Sequence, residues 1–226
     1  MIAQYVFFRR RALIALRRTD IRRWTREESY NPSWDQRAAQ AVILNGDAKW
    51  VVDLGCGRQA LRTYLPKDVV YLPMDMAAWT PNTLVCDVNS RSLPLDYLRI
   101  ADTCFILGVV EYLYDPGWLF SQLAEVVSKI IVSYNTMEKV PVGRRANGWV
   151  NDFARRDLLE LMASSGFELV GSGEYGDEDI LCLEGRWNSE QIRAARQEHR
   201  NKFCGRGNNQ TGGPLLAGRE GGGVVS

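Results

Sequence analysis

Three acidic residues close three successive apolar runs in the first half of the chain. Asp53 ends the first run, Asp75 ends V-V-Y-L-P-M-D, and Asp87 follows L-V-C. A carboxylate placed like Asp75, at the tip of a second strand, can accept hydrogen bonds from both hydroxyls of a ribose. Asp87 can accept one from an adenine amino group. The three acids together therefore indicate a site for a ligand that contains adenosine.

The turn after Asp53 reads D-L-G-C-G. Gly55 and Gly57 let the backbone turn sharply and approach a ligand with no Cβ in the way. The helix predicted from Arg58 would direct its free N–H groups at that ligand. Gln59 stands where a dinucleotide site would use a third glycine near the pyrophosphate. The G-x-G turn alone is weak evidence, and the missing glycine makes a nucleotide-dependent oxidoreductase the least favoured alternative.

Apolar runs and helical stretches alternate along the rest of the chain, as in a parallel α/β domain. Several runs are almost wholly apolar, which is typical of strands buried on both faces. The last two flank a glycine-rich turn and predict a hairpin. The predicted strands are 50–54, 69–74, 83–86, 103–107, 130–134, 167–172 and 179–184, and the predicted helices are 4–26, 34–44, 58–65, 118–127, 152–165 and 188–203. Asp152 is the predicted cap of the fifth helix, which is predicted to end at Gly166.

The length of 226 residues suits one α/β domain with additions at both ends. We expect a basic helix and a lid helix over 1–44, the core domain over 45–187 and a C-terminal helix over 188–204. The glycine-rich segment 205–226 has no apolar period and is expected to be disordered.

The composition excludes several classes of function. The net charge of +1 gives no broad basic footprint, so we expect no nucleic-acid partner. The five cysteines form no C-x-x-C pair and are expected to be buried free thiols. The single histidine, His199, rules out a two-histidine metal site, and we expect no metal. No apolar run approaches the ~20 residues of a membrane span, and no signal-peptide pattern is present, so we expect a cytoplasmic protein.

The segment 1–28 is strongly basic although the whole chain is nearly neutral. It holds eight arginines against three acids. It is interpreted either as a helix packed on the domain or as a helix that contacts an anionic membrane surface or an acidic substrate or partner. Peripheral membrane contact through 1–28 is therefore one of the predictions.

In its ordered motifs the sequence resembles the class I S-adenosylmethionine-dependent methyltransferases. The matching pieces are D-L-G-C-G at 53–57, Y-L-P-M-D at 71–75, C-D-V at 86–88, L-G-V-V-E-Y at 107–112 and the closing hairpin at 167–184. They cover about residues 45–185 in the right order. The resemblance implies an α/β, Rossmann-like three-layer sandwich with a mostly parallel seven-stranded sheet and a C-terminal antiparallel hairpin strand. It also implies S-adenosylmethionine as cofactor.

The resemblance assigns the glycine loop to the methionine part of the cofactor, with Asp53 near the amino group, Asp75 on the ribose and Asp87 on the adenine. The implied cofactor-binding residues are Asp53, Gly55, Cys56, Gly57, Asp75, Met76, Asp87, Val88, Leu107 and Gly108. A helix cap for Asp75, a turn role for Asp87 and an adenine contact from a backbone amide near Val88 stay open.

Gln59 departs from the family, which usually has a glycine or small residue nearby. Its neighbour Arg58 would pair with the cofactor carboxylate if it points inward, and would be a solvated residue if it points outward.

The acceptor side of the site is less specific. Relatives often carry a histidine where this chain has Tyr112, so a histidine base is not expected. The catalytic candidates are Glu111, Tyr112 and Tyr134, with Asp152 as a further group that could serve. The acceptor-binding candidates are Tyr30, Trp34, Arg37, Asn135, Trp149 and Asn151, for which core packing or surface charge is the alternative.

The resemblance implies a methyltransferase acting on a small-molecule or glycan or glycolipid acceptor, with O-methylation favoured. The arginines of 1–28 and the pair Arg144-Arg145 would suit an anionic or lipid-linked acceptor. The alternative is a non-catalytic S-adenosylmethionine-binding or scaffold protein on the same fold.

Overall fold

The computed structural model describes residues 2–26, 28, 30–186, 194 and 196–202, with side chains from Phe8 onward. A seven-stranded sheet in the order β3-β2-β1-β4-β5-β7-β6 forms its centre. The strands are β1 (Trp50–Leu54), β2 (Val70–Asp75), β3 (Leu84–Val85), β4 (Thr103–Leu107), β5 (Lys129–Tyr134), β6 (Phe167–Tyr175) and β7 (Glu178–Gly185). The first five are parallel, and β7 pairs antiparallel with both β5 and β6. The predicted fold class is confirmed.

Helices cover both faces of the sheet. They are α1 (Ile2–Ala15), α2 (Ile21–Trp24), α3 (Asp35–Ile43), α4 (Ala60–Tyr64), α5 (Leu95–Ile100), α6 (Pro116–Ala124) and α7 (Arg155–Ser164). Val52 and its neighbours on one face pack against α5, α6 and α7. Val51 points to the other face, where α3 and α4 cover it. Successive strand residues point to opposite faces, which explains the near-continuous apolar runs.

The predicted helix over 4–26 is wrong, because the chain breaks between α1 and α2. Arg17 has a φ of 51°, in the left-handed region that ends a helix. Asp20 then starts α2, and its side chain accepts a hydrogen bond from the Arg23 backbone N–H at 3.1 Å. It also pairs with the guanidinium of Arg9.

Other element boundaries also differ from the prediction. The fifth predicted helix begins at Arg155 and has Ala154 at its N-cap, so Asp152 is not the cap. Asp152 instead pairs with Arg144 and Arg145. The short helix α5 was not predicted.

The described part of the C-terminal helix, 196–202, is helical and is tied to the core. Arg196 and Arg200 pair with Asp102 at 3.0 and 2.8 Å. The remainder of 188–204 and the segment 205–226 lie outside the described residues, apart from Ala194. The domain boundaries stay a prediction.

The structure also bears on the predicted state of the cysteines and on membrane-spanning helices. Cys56, Cys86, Cys104 and Cys182 are buried free thiols, as predicted, and Cys204 lies outside the described residues. Among the helices of the described part, none has the length and apolar character needed to cross a membrane. Peripheral membrane contact stays a prediction.

Candidate functional site

A cavity opens at the carboxyl ends of β1, β2 and β4. The chain crosses over between β1 and β4, and such a switch point is where open α/β sheets bind ligands. Every predicted cofactor-binding residue lines this cavity. The predicted residues Glu111, Tyr112, Tyr30, Trp34, Arg37, Asn135 and Trp149 line it too.

Asp75 fastens the glycine loop to the end of β2. Its Oδ2 accepts from the Gly57 N–H at 2.9 Å, and its Oδ1 accepts from the Ala77 N–H at 3.0 Å. Burial raises the pKa of this carboxyl, and the backbone N–H groups counteract the shift. The carboxylate also lines the cavity, where a ligand hydroxyl can reach it.

The glycine loop needs glycine at Gly55 for two reasons. Its φ is 84°, and a Cβ there would collide with the side chain of Val109. Gly57, with a φ of 46°, has open space where its Cβ would stand. Gly57 therefore leaves room for a ligand beside the backbone, whereas Gly55 lets Val109 pack closely against the turn.

Gln59 adopts the left-handed conformation, with a φ of 63°. Its Nε2 donates to Thr80 Oγ1 at 2.6 Å and to Asn82 Oδ1 at 3.1 Å. The side chain thus ties the turn to the segment after β2. Gln59 therefore has a backbone conformation that favours glycine, and its side chain adds hydrogen bonds that a glycine could not make.

Arg58 is exposed and is not among the residues that line the cavity, which agrees with the outward-pointing alternative. Its guanidinium carbon lies 4.6 Å from the centroid of the Tyr30 ring and 5.9 Å from that of Trp79. Both rings line the cavity. Arg58 therefore holds the aromatic rim of the site by cation–π contact.

Asp53 is buried at the end of β1 and accepts a hydrogen bond from the Tyr71 hydroxyl at 2.6 Å. Burial raises the pKa of the Asp53 carboxyl to about 7, and the Tyr71 bond partly opposes the shift. This carboxylate can take a cationic ligand group, which would restore its ionised form.

Asp87 connects the cavity to the N-terminal arm, which we define as residues 16–26. Its Oδ1 accepts from Thr19 Oγ1 at 2.8 Å and from the Asn89 N–H at 3.0 Å. The second bond caps the 3-10 turn Val88–Ser90, so the predicted turn role holds alongside the position in the cavity wall.

Arg37, a predicted residue for binding the methyl acceptor, has a largely buried side chain that is held by other residues of the cavity wall. Its Nη1 pairs with Glu178 at 2.8 Å, and its Nη2 donates to the Leu107 carbonyl at 3.2 Å. A Cβ on Gly108, which has a φ of 66°, would collide with this guanidinium. Ser133 Oγ donates to Glu178 at 2.8 Å and so fixes the pair at the cavity floor.

Glu111 presents an unpaired carboxylate oxygen in the cavity wall. The residue is 1% exposed. Its Oε1 accepts from the Asn135 backbone N–H at 2.9 Å and from Asn135 Nδ2 at 3.0 Å. Its Oε2 is buried and has no partner among the described atoms. Burial, followed by the nearby Glu178, raises the pKa of Glu111.

Aromatic side chains form the wall around Glu111. The rings of Trp24 and Tyr112 meet edge to face, with centroids 4.8 Å apart. Trp149 Nε1 donates to the Tyr112 hydroxyl at 3.1 Å. Burial raises the pKa of Tyr112 to about 12, so this hydroxyl stays protonated at neutral pH.

Tyr134 and Asn151 do not line the cavity, against the prediction. The Tyr134 hydroxyl donates to Asn151 Oδ1 at 2.7 Å and accepts from Arg144 Nη2 at 2.7 Å. Asn151 Nδ2 donates to the carbonyls of Val110 and Leu113. We therefore assign both residues to the support of the loops, and Tyr134 is no longer a catalytic candidate.

The arginines that suggested an anionic acceptor also lie elsewhere. Arg144 is buried and bonds to Asn135, Tyr134 and Asp152. Arg145 pairs with Asp152. None of the described arginines of 1–28 is among the residues that line the cavity.

The sequence did not predict several residues of the site, among them Thr19, Trp24 and Glu178. Thr19 and Trp24 lie in a segment predicted as one basic helix, and Glu178 is the first residue of β7. Their sequence context carries no signal, because the site contacts that define them join distant segments, such as Thr19 with Asp87 and Arg37 with Glu178.

Comparisons with known proteins give the fold. No protein-family model and no curated protein sequence matches the chain. The N-terminal domain of EvdMO1, solved with SAH bound, is similar with a TM-score of 0.51 and 14% identity, over 71% of this chain and 84% of that one. The pyocyanin biosynthetic protein PhzM gives 0.53 and 12%, over 66% and 55%. Human N-acetylserotonin methyltransferase, in complex with SAM, gives 0.51 and 15%, over 65% and 51%. The chain has the fold of class I S-adenosylmethionine-dependent methyltransferases.

Proposed function

We propose that the protein is an S-adenosylmethionine-dependent methyltransferase with a small-molecule acceptor. The observation that carries the proposal is the placement of Asp53, Asp75 and Asp87 on one cavity, at the ends of adjoining strand segments, around a turn that leaves space at Gly57. This set of hydrogen-bond acceptors matches an amino group, a ribose and an adenine in that order. Arg58, the basic residue beside the glycine loop, is not among the described residues that line the cavity, so the loop offers a pyrophosphate no lining cation.

The residues of the first half of the cavity would hold the cofactor. Asp75 accepts from ribose hydroxyls while its backbone bonds keep it in place. Asp53 faces the ammonium group, and Asp87 lies at the adenine end. When bound, S-adenosylmethionine supplies an electrophilic methyl group on a sulfonium, so the protein has chiefly to align the acceptor and exclude water.

Glu111 is the group we assign to the acceptor proton. Its Oε2 is buried and has no partner among the described atoms. The raised pKa of the Glu111 carboxyl lies closer to neutral pH, where a general base works best. Tyr112, Trp149 and Asn135 position this end of the cavity. A glycan or glycolipid acceptor and O-methylation stay predictions.

The test is calorimetric titration with S-adenosylhomocysteine. We expect binding that weakens by about tenfold or more in Asp75→Ala, because a hydrogen bond to a charged group contributes about 1.5–3 kcal/mol. Asp96→Ala is the matched control, since Asp96 is an exposed acid outside the cavity. Absence of heat for both S-adenosylhomocysteine and S-adenosylmethionine would contradict the proposal.

Activity separates the enzyme from the non-catalytic alternative. Tritiated-methyl transfer into fractionated extract of the source cell should label one small-molecule fraction. If the cofactor binds and no fraction is labelled, a binding or scaffold role on the same fold is supported instead.

A further inference from the structure

The charges on the cavity wall are strongly unequal. Its acids outnumber its bases by six to one among the described lining residues: Asp35, Asp53, Asp75, Asp87, Glu111 and Glu178 against Arg37. Arg37 is already paired with Glu178. Asp75 and Asp87 are bonded to backbone N–H groups. Glu111 is the lining acid whose second oxygen is buried and lacks a partner among the described atoms.

A buried carboxylate oxygen without a donor is costly, and the cost disappears when a ligand supplies a charged donor. The walls beside Glu111 add to this preference. The rings of Trp24, Trp34, Tyr112 and Trp149 line the same cavity, and aromatic faces attract cations. An anionic group would be repelled by Glu111, and Arg37, the single cation among the described lining residues, pairs with Glu178 and is the residue that we expect to bind the cofactor carboxylate.

We infer that the methyl acceptor is a primary or secondary amine attached to an aromatic or other apolar body, and that its ammonium group binds Glu111. The inference rests on the proposed function. It differs from the sequence-based expectation of O-methylation and from that of an anionic acceptor.

The chemistry of this assignment balances. The ammonium gives one proton to Glu111, and the nitrogen lone pair that is freed forms the new N–CH3 bond. The S–CH3 bond breaks with its electron pair left on sulfur, so that S-adenosylhomocysteine and an N-methylated amine leave. The only co-reactant is the methyl donor of the proposed function. Glu111 later loses its proton to solvent.

Two arginines lie near the aromatic wall. Arg23 and Arg144 lie 4.6 Å from the ring centroids of Trp24 and Trp149. Neither lines the cavity, but their charges reduce the attraction of these two rings for a cation. Glu111 is therefore the main determinant, and the test is built on it.

The test compares aromatic probes that carry an amine, an alcohol or a carboxylate, three of them on the same phenyl body. Tryptamine and 2-phenylethylamine are the amines, 2-phenylethanol is the neutral probe and phenylacetate is the anion. Each is titrated into protein saturated with S-adenosylhomocysteine. We expect the better amine to bind about tenfold or more tighter than the alcohol, and phenylacetate to bind most weakly.

Glu111→Gln should remove the amine preference, bringing amine and alcohol within about threefold of each other. Glu160→Gln, an exposed change of the same kind on α7, should keep it. Binding of S-adenosylhomocysteine and the melting temperature show that each variant is folded.

The outcomes are distinct. If wild-type protein does not bind S-adenosylhomocysteine, the proposed function fails first. If it does bind, then no amine binding, equal or tighter binding of the alcohol or phenylacetate, or an amine preference that survives in Glu111→Gln overturns the inference. Labelling of an amine by tritiated methyl would add direct support.

Discussion

The hydroxyl of Tyr71 donates a hydrogen bond to Asp53 Oδ2 at 2.6 Å, from the adjacent parallel strand. This bond favours the ionised carboxylate, whereas burial disfavours it more strongly. The net effect raises the pKa of Asp53 to about 7. The ionisation of Asp53, the group that we propose for the ligand ammonium, therefore changes within the physiological range.

Binding of S-adenosylhomocysteine should depend on pH through Asp53. Below pH 7 the carboxyl is protonated and no longer attracts an ammonium, so the Kd should rise as the pH falls from 8 to 6. Tyr71→Phe should move the midpoint to higher pH, because it removes a bond that lowers the pKa. Calorimetry across this range measures both. A Kd that stays constant from pH 6 to 8 would be inconsistent with this role of Asp53.

The stability of the ligand-free protein should depend on pH with the opposite sign. Because the pKa of Asp53 is about 7 in the folded chain against an ordinary 3.8, the folded state holds more protons between these values. The free energy of unfolding should therefore fall as pH rises from 4 to 7 and level off above. Asp53→Asn should make this slope shallower in urea unfolding, and an unchanged slope would argue against the assignment.

Arg37 should bind the carboxylate of the cofactor, because it is the single cation among the described lining residues. Arg37→Ala should weaken S-adenosylhomocysteine by about tenfold or more, and 5′-methylthioadenosine, which lacks the amino-acid part, by less than about threefold. Arg37→Lys should restore part of the loss. Pairing the change with Glu178→Gln removes the carboxylate that Arg37→Ala leaves unpaired. Equal losses for both ligands would exclude a carboxylate contact.

Thr19 should stabilise bound S-adenosylhomocysteine, because its hydrogen bond holds the N-terminal arm to Asp87 in the cavity wall. Thr19→Val keeps the shape of the side chain but removes the bond to Asp87. Since one hydrogen bond contributes about 0.5–1.5 kcal/mol, we expect affinity for S-adenosylhomocysteine to fall by about threefold, with faster dissociation in stopped-flow measurements. Thr63→Val on α4 is the control. Unchanged affinity would separate the arm from cofactor binding.

Tyr134 should support the fold and not the chemistry. Tyr134→Phe removes a hydroxyl that bonds to Asn151, Arg144 and Phe153. Leaving these buried groups unpaired should cost about 1–3 kcal/mol in urea unfolding. Binding of S-adenosylhomocysteine should change by less than about twofold. Tyr64→Phe, at an exposed position, serves as control. Loss of methyl transfer at full stability would return Tyr134 to the catalytic candidates.

The cofactor half of the site was predictable because the carboxyl ends of parallel strands meet at one edge of the sheet. The apolar runs before Asp53, Asp75 and Asp87 predict parallel strands, and the carboxyl ends of such strands lie together. The same reasoning led to the wrong prediction that Tyr134 is a catalytic residue. It also ends a parallel strand, but its side chain lies among the supporting loops, and strand position alone does not say which way a side chain points.

By itself, the sequence determined the sheet, the glycine turn and the acids around it, because apolar periodicity and backbone conformation act over a few residues. Only the tertiary structure decided that Gln59 fastens the turn to Thr80, that Thr19 reaches Asp87, and that Arg37 pairs with Glu178. These contacts join segments from 21 to 141 residues apart. Local patterns carry no record of such pairs, since folding of the whole chain brings them together and excludes water from them.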